Sequence, residues 1–432
     1  MRGLRLSTPN VVLLLLCLMY FILFVDRVNL ATAAPLISRE LGLSNTQMGL
    51  VFSAFAWPYA LFQLVGGWIG DKFGPRLTLA VSIMIVCIST ALTGVVGGFA
   101  SLFAVRLALG FGEGAALPTA TRAMSSWTPE HKWGFAQGIT HTFARLGNFM
   151  TPPLVIGLIA LFSWRAAFFV FAAVSFLWLI VWLWYFRDEP REHPSITEEE
   201  ISRLPARAQG KGARIPWLAL AKRIAPVTAV DFCFGWTLWI FQSWIPSFFV
   251  QNYQLDLGTA ALLTSQVLFA GVIGDTMGGL ASDYILRRTG NLVLARRSVI
   301  IAGFLGGCVF LAPVILVHDL TVAAVCLSLA FFFTELIVAP IWAVPMDIAP
   351  RYAGSASGMM NFGFGVAGII SPFFFGYTID LTGSWNVPLI VSIALLMLGA
   401  VLTLRLRPDQ PFIDDARELT SSGREISEPR SG

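Results

Sequence analysis

Charge is what this chain is short of. Only 12% of its 432 residues are Asp, Glu, Lys or Arg, against about a quarter in water-soluble domains. That deficit excludes a solvated globular surface for a chain this long. Histidine and cysteine are sparse as well. The four histidines, His131, His141, His193 and His318, are scattered, and the five cysteines, Cys17, Cys87, Cys233, Cys308 and Cys326, each fall inside an apolar block. Neither set has metal-ligand or disulfide spacing, so no metal site is expected and the cysteines read as small apolar packing residues. No nucleophile–base pair of the kind an enzyme needs is legible, so no catalytic residue is assigned. The net charge of +4 is spread over loops and a tail, which leaves no footprint for nucleic acid.

What is abundant is apolar. Hydrophobic residues make up 56% of the chain and come in blocks of roughly twenty, the length that crosses a bilayer as a helix. Twelve such spans are expected. They lie near Val11–Pro35, Gln47–Ile69, Leu77–Val96, Ser101–Ser126, Trp133–Leu161 and Trp164–Phe186, then Ile224–Val250, Ala260–Leu286, Ser298–Val317, Leu320–Asp347, Ala353–Leu381 and Trp385–Leu406. The first resembles a signal peptide at its basic start, but Asp26 and Arg27 interrupt it before Ala31–Ala34, and further spans follow. Lys72, Arg76, Lys132, Arg287, Arg288, Arg296, Arg297 and Arg351 fall at the same end as Arg2 and Arg5, whereas the other end keeps Arg39 and Arg165. Positive charge stays inside, so both termini are expected in the cytoplasm. The implied organisation is a six-helix bundle over 1–187, a cytoplasmic linker over 188–222, a second six-helix bundle over 223–407 and a cytoplasmic tail over 408–432. Within the linker, Thr197 and Glu200 are spaced as a capping box for a short surface helix.

The two halves repeat each other. Gly67-Trp-Ile-Gly-Asp71 recurs as Gly279-Leu-Ala-Ser-Asp283, Glu113 and Pro118 as Glu335 and Pro340, and Gly138 and Pro152 as Gly358 and Pro372. Paired halves imply a pseudo-symmetric bundle with its site between them near the midplane. The loop Gly67-x-x-x-Asp71-Lys72-x-Gly74-Pro75-Arg76 resembles the signature loop of the major facilitator superfamily. In that family the aspartate and basic residues latch one end of the two halves, a role the resemblance gives to Asp71, Lys72, Arg76 and Asp283. The plainer reading is an ordinary positive-inside loop.

Several charges lie deep in the spans. Asp26-Arg27 sits in the first. Arg106 and Glu113 share one face of the fourth, and His141, Arg145 and Asn148 one face of the fifth. A charge at the bilayer centre costs about 3 kcal/mol or more, so such groups face a wet cavity or one another. A structural salt-bridge cluster is the bland alternative. Against it, three arginines here outnumber two acids, and the surplus calls for an anion, whose carboxylate fits the planar guanidinium fork. Tyr59 and Gln63, one turn apart on the second span, are either substrate donors or helix-packing polar groups. In the second half, Asp231, Asp275, Glu335 and Asn361 are polar, and Glu335 is left either neutral or paired with a residue of the first half. Trp236, Trp239 and Gln242 read as cavity lining or as packing. Gly110-x-Gly112-x-Gly114 lies inside a span with no strand before it, which excludes a phosphate-binding loop.

Asp26-Arg27-Val-Asn-Leu-Ala, the stretch from Tyr59 to Arg76, Arg106 to Pro118 and Met346 to Pro372 together resemble the anion:cation symporter family of the major facilitator superfamily. Its members include bacterial galactonate, glucarate and hexuronate symporters and vertebrate organic-anion and vesicular glutamate carriers. The resemblance implies an all-α membrane protein of twelve transmembrane helices in two pseudo-symmetric six-helix bundles. It implies proton-driven import of a small organic anion across the inner cell membrane. Asp26 and Glu113 match proton-coupling acids, Arg27 a modulating arginine, Arg106 the substrate-carboxylate arginine and Tyr59 a substrate contact; Gln63, Arg145, His141 and Asn361 are added as candidate substrate residues. Where sugar-acid members carry an amide and an asparagine, this chain has Ala144 and Gly365, and it gains Arg145. The expected anion is therefore a sugar acid, a dicarboxylate or an aromatic carboxylate, the departure weighing against a monocarboxylate sugar acid. The partners are then the anion and the lipid bilayer, the coupling ion is a proton, no other cofactor is expected, and the chain acts as a monomer. An organic-anion exchanger or an uncoupled carrier on the same fold is the alternative.

Overall fold

The computed structural model describes residues 7–129, 132–205 and 216–412, without the side-chain positions of residues 64, 67, 71, 134 and 351. Helix dominates because apolar runs in a bilayer must satisfy every backbone N–H and C=O internally. In chain order the helices are α1 (Thr8–Leu41), α2 (Asn45–Phe73), α3 (Pro75–Thr93), α4 (Phe99–Trp127), α5 (Trp133–Leu161), α6 (Trp164–Tyr185), α7 (Glu198–Ser202), α8 (Trp217–Asn252), α9 (Leu257–Thr289), α10 (Leu292–Leu316), α11 (Leu320–Glu335), α12 (Val338–Ile348), α13 (Ala353–Thr382) and α14 (Asn386–Thr403). Among the described residues eleven stretches are long and apolar enough to cross a membrane, α11 and α12 together forming one. With α2, 29 residues long, they make twelve spans in two six-helix bundles.

The tight turns explain where the helices stop. Gly42 and Gly383 end α1 and α13 at φ of 63° and 66°, a left-handed cap that suits glycine. Ser44 opens α2 with a full capping box, and Asp256 accepts from the Thr259 N–H at 3.0 Å to open α9. The linker box forms as the sequence predicts. Thr197 accepts from the Glu200 N–H at 3.2 Å, and Glu200 from the Thr197 N–H at 3.0 Å. Glu200 also accepts from the Thr8 N–H at 3.1 Å, which docks α7 on the start of α1.

Two boundaries differ from expectation. α8 begins at Trp217, inside the stretch read as linker, because Pro216 supplies a stop and Arg223 then donates to the carbonyls of Arg407 and Gln410 at 2.7 and 2.6 Å. The tenth span, expected to be continuous, breaks at Leu336–Ile337 into α11 and α12. Pro340 lies just beyond the break: it offers no N–H to the Leu336 carbonyl and its ring crowds that oxygen. Gly274 and Gly278 of α9 lie so close to the Phe332 and Leu336 carbonyls that a Cβ at either position would overlap them.

Between the halves, α2 packs on α13, α5 on α9 and α1 on α8. The α2–α13 seam is polar at its outer end, away from the termini. There Asp380 accepts from Asn45 N and Nδ2 at 3.2 and 2.9 Å, and from Thr46 N and Oγ1, both at 2.6 Å. Lower down, Phe373 N donates to Ser53 Oγ at 3.2 Å, and Gly49 admits the Pro372 carbonyl.

Candidate functional site

Two charge clusters occupy the middle of the bundle. The first lies within the first half. Arg27 Nε donates to Glu113 Oε2 at 2.7 Å, linking α1 to α4. Asp26 Oδ1 accepts from Asn29 Nδ2 at 3.0 Å and from Thr90 Oγ1 at 3.1 Å, and the Asp26 carbonyl accepts a long 3.4 Å contact from Arg106 Nη1. Arg27 sits 4.3 and 4.6 Å from the ring centres of Phe24 and Tyr59, and Arg106 sits 5.1 Å from that of Phe55. Such desolvated cation–π contacts are worth about 2 kcal/mol and leave guanidinium N–H groups free for another acceptor. Indeed Arg27 Nη2 and Arg106 Nε have no hydrogen-bond partner, nor do Asp26 Oδ2 and Glu113 Oε1. Unsatisfied donors and acceptors therefore coexist in one buried cluster.

The second cluster spans the halves. Arg145 of α5 contacts Asp275 of α9 at 3.2 Å and Glu335 of α11 at 2.9 Å. Glu335 is thus paired across the interface, one of the two outcomes the sequence left open. His141, one turn from Arg145, meets the Tyr20 ring edge-on at 5.7 Å yet is exposed.

These contacts correct the charge balance read from the sequence. Arg27, Arg106 and Arg145 face four acids once the halves assemble, Asp26, Glu113, Asp275 and Glu335. There is no surplus of positive charge while all four are ionised. Each proton taken up shifts the balance by one toward an anion.

The remaining candidates fall in distinct places. Tyr59 lines the Arg27 face. Gln63 and Asn361 hydrogen-bond each other across the α2–α13 seam. A Cβ at Gly365 would press on Ala60, and Ala144 is buried. Asn148 is buried beyond Arg145 with its carbonyl oxygen free. Asp231 of α8 is buried with Oδ2 unpartnered, and Trp239 donates to the Phe364 carbonyl at 3.1 Å, a packing role. Of the latch residues, Arg76 binds within its own half, its N–H to Asp188 at 2.8 Å and its Nη2 to the Leu183 carbonyl at 2.6 Å. Lys72 lies 4.9 Å from the Trp68 ring. Asp283 faces Arg296 at 3.8 Å, again within one half. The side chain of Asp71 lies outside the described residues.

Sequence reasoning missed three residues that shape the site. Asn29 was legible, three residues after Asp26 on the same helix face. Thr90 on α3 and Asp380 on α13 carried no local signal, because their partners lie far away in sequence.

A bundle of this build, with a charged centre enclosed at mid-membrane, defines a multi-pass membrane transporter rather than an enzyme. A family model described as the Major Facilitator Superfamily matches residues 16–372 and again 295–425, and the chain belongs to that superfamily. Among its relatives, the "Probable sulfoacetate transporter SauU" of Cupriavidus necator is 48% identical over 408 residues, covering 94% of this chain and 95% of that one. The hexuronate transporter of Bacillus subtilis is 30% identical over 400 residues, with 91% and 93% covered. A solved bacterial homologue of the human lysosomal transporter Spinster shares the fold at a TM-score of 0.73 and 18% identity, covering 92% of this chain and 97% of that one.

Proposed function

We propose that this protein imports a small organic anion by proton symport, and that the anion is a short dianion of the sulfoacetate kind. Alternating access of the halves 1–187 and 223–407, joined by 188–222 with the tail 408–432 beyond, would carry it across the inner membrane, with both termini cytoplasmic and one chain sufficient. The observation that carries the reading is the pair of buried guanidiniums, Arg27 and Arg106, with donors still free beside Asp26 and Glu113. Arg106, with Arg27 or Arg145, holds the anionic groups, while Asp26 and Glu113 bind the protons. The 48% identity to the protein named for sulfoacetate supports the substrate class. So do Gly365 and Ala144, small residues at the two positions where sugar-acid members carry an amide and an asparagine.

Coupling follows from cost. Moving a dianion inward against an inside-negative potential costs about 4.6 kcal/mol per 100 mV, twice the single-charge value. Two protons cancel that charge, and a third makes entry electrically favourable.

The test is sulfoacetate uptake into proteoliposomes with a trapped pH dye. Expected is uptake accompanied by internal acidification and abolished by Glu113→Gln, which still supports exchange of internal for external sulfoacetate. Net uptake that survives collapse of the proton gradient and neutralisation of both acids would replace this reading with an exchanger or uncoupled carrier.

A further inference from the structure

We propose that Glu335 is a third proton-carrying acid of the cycle, protonated when a substrate anion takes Arg145 from it. The inference rests on the proton-symport reading above and adds a site in the second half.

Glu335 stands where α11 ends, five residues before the proline just beyond the break, just as Glu113 precedes Pro118 in the first half. Its side chain is 1% exposed. Arg145 approaches one oxygen at 2.9 Å, but neither carboxylate oxygen has an aligned hydrogen-bond donor. The Arg145 Nε is already committed to Asp275 at 3.2 Å. One guanidinium therefore serves two carboxylates, both from the opposite half.

The charged groups around Glu335 are few. α9 presents Asp275 and α5 presents Arg145, with His141 one turn away. α8 carries Asp231, which lies toward Phe364 of α13. The basic residues of α10 are engaged elsewhere, Arg296 with Asp347 at 2.9 Å and Arg297 with the Leu406 carbonyl. Among these groups Arg145 is the cation that faces the Glu335 carboxylate.

An anion that engages Arg145 therefore strands Glu335. Asp275 is less enclosed, its side chain 18% exposed. Glu335 has no such recourse, and an isolated carboxylate buried among membrane spans is strongly disfavoured. A proton from the aqueous space forms an O–H bond on the Glu335 carboxyl, the anion takes its place on Arg145, and both leave to the same side when the pair re-forms. Binding of a dianion and uptake of a proton at Glu335 become one event.

The test uses the full chain in lipid nanodiscs, with sulfoacetate as probe. Protons taken up on binding are counted with a pH dye, and protonated carboxyls are followed by infrared difference spectroscopy. Expected is one proton fewer per bound sulfoacetate in Glu335→Gln, with loss of one carboxyl C=O band that Glu335→Asp retains. Equal proton counts and unchanged bands would overturn the proposal. A wild-type protein that binds no sulfoacetate sinks the substrate reading instead. The ligand-free acid titration then decides, since one titrating carboxyl must vanish in Glu335→Gln. Should Glu335→Gln not fold, Arg145→Gln serves, because the Glu335 titration must move when its one cation is removed. A titration that does not move would overturn the proposal as well.

Discussion

Asp380 closes the outer end of the transporter by capping a helix that belongs to the other half. Its carboxylate takes both backbone donors and both side-chain donors of Asn45 and Thr46. α2 has its own cap as well, the Ser44–Gln47 box, so removal of Asp380 leaves the helix intact and weakens only the closed arrangement. Losing an N-cap acceptor costs about 0.5–2 kcal/mol, and four charge-assisted bonds place Asp380→Ala in the upper part of that range, about 1–2 kcal/mol after allowance for its exposure. At about 1.4 kcal/mol per tenfold, the fraction open at this end rises roughly 5- to 30-fold. Ser53 reports it, being 1% exposed in the seam below the cap. A membrane-impermeant maleimide added on the side away from the termini should label Ser53→Cys faster by that factor when Asp380→Ala is added, with the wild-type chain as background. Equal labelling rates would show that the cap does not hold the end shut.

Two further outcomes are expected. Arg106→Lys removes the free Nε donor and the planar fork, so calorimetry should find sulfoacetate bound roughly 10- to 100-fold more weakly, the value of one charge-assisted bond. Affinity within twofold of wild type would take Arg106 out of the site. In the linker, His193 packs on Trp127 and Tyr185 and accepts from the Ser195 N–H at 3.2 Å; burial, then Arg187, lowers its pKa below the ordinary value. The folded linker therefore resists protonation, so docking is intact above about pH 6.5 and weakens as pH falls below that. Limited proteolysis of the linker should accelerate at acidic pH in wild type and not in His193→Gln, and identical acid profiles would count against His193.

Span number, the paired halves and the first-half cluster were legible because each leaves a local mark. Apolar runs have bilayer length, and Arg106 and Glu113 share a face through helical spacing. The linker box was legible for the same reason. The α11–α12 break had its signal in Pro340, but Pro118 carries the same signal and α4 stays continuous. What differs is the tertiary packing around each proline, which no window of sequence reports. The charge balance was misread because Asp275 and Glu335 join Arg145 only when the halves meet, at separations of 130 and 190 residues. Gln63 and Asn361 are candidate substrate residues, Gln63 with helix packing as its alternative, and their bond to each other, 298 positions apart, is invisible to periodicity.

All three deep arginines come from the first half, whereas the second half brings Asp275 and Glu335 to meet Arg145. Arg145 is thus already met by tethered carboxylates, whose effective concentration is on the order of millimolar or more. Chloride, with one diffuse charge, must outcompete that tether and gains nothing by it. On the proposed binding mode, a solute bearing two fixed negative groups replaces the tether at one end while the other rests on Arg106, so charge number would be selected before any fit of shape.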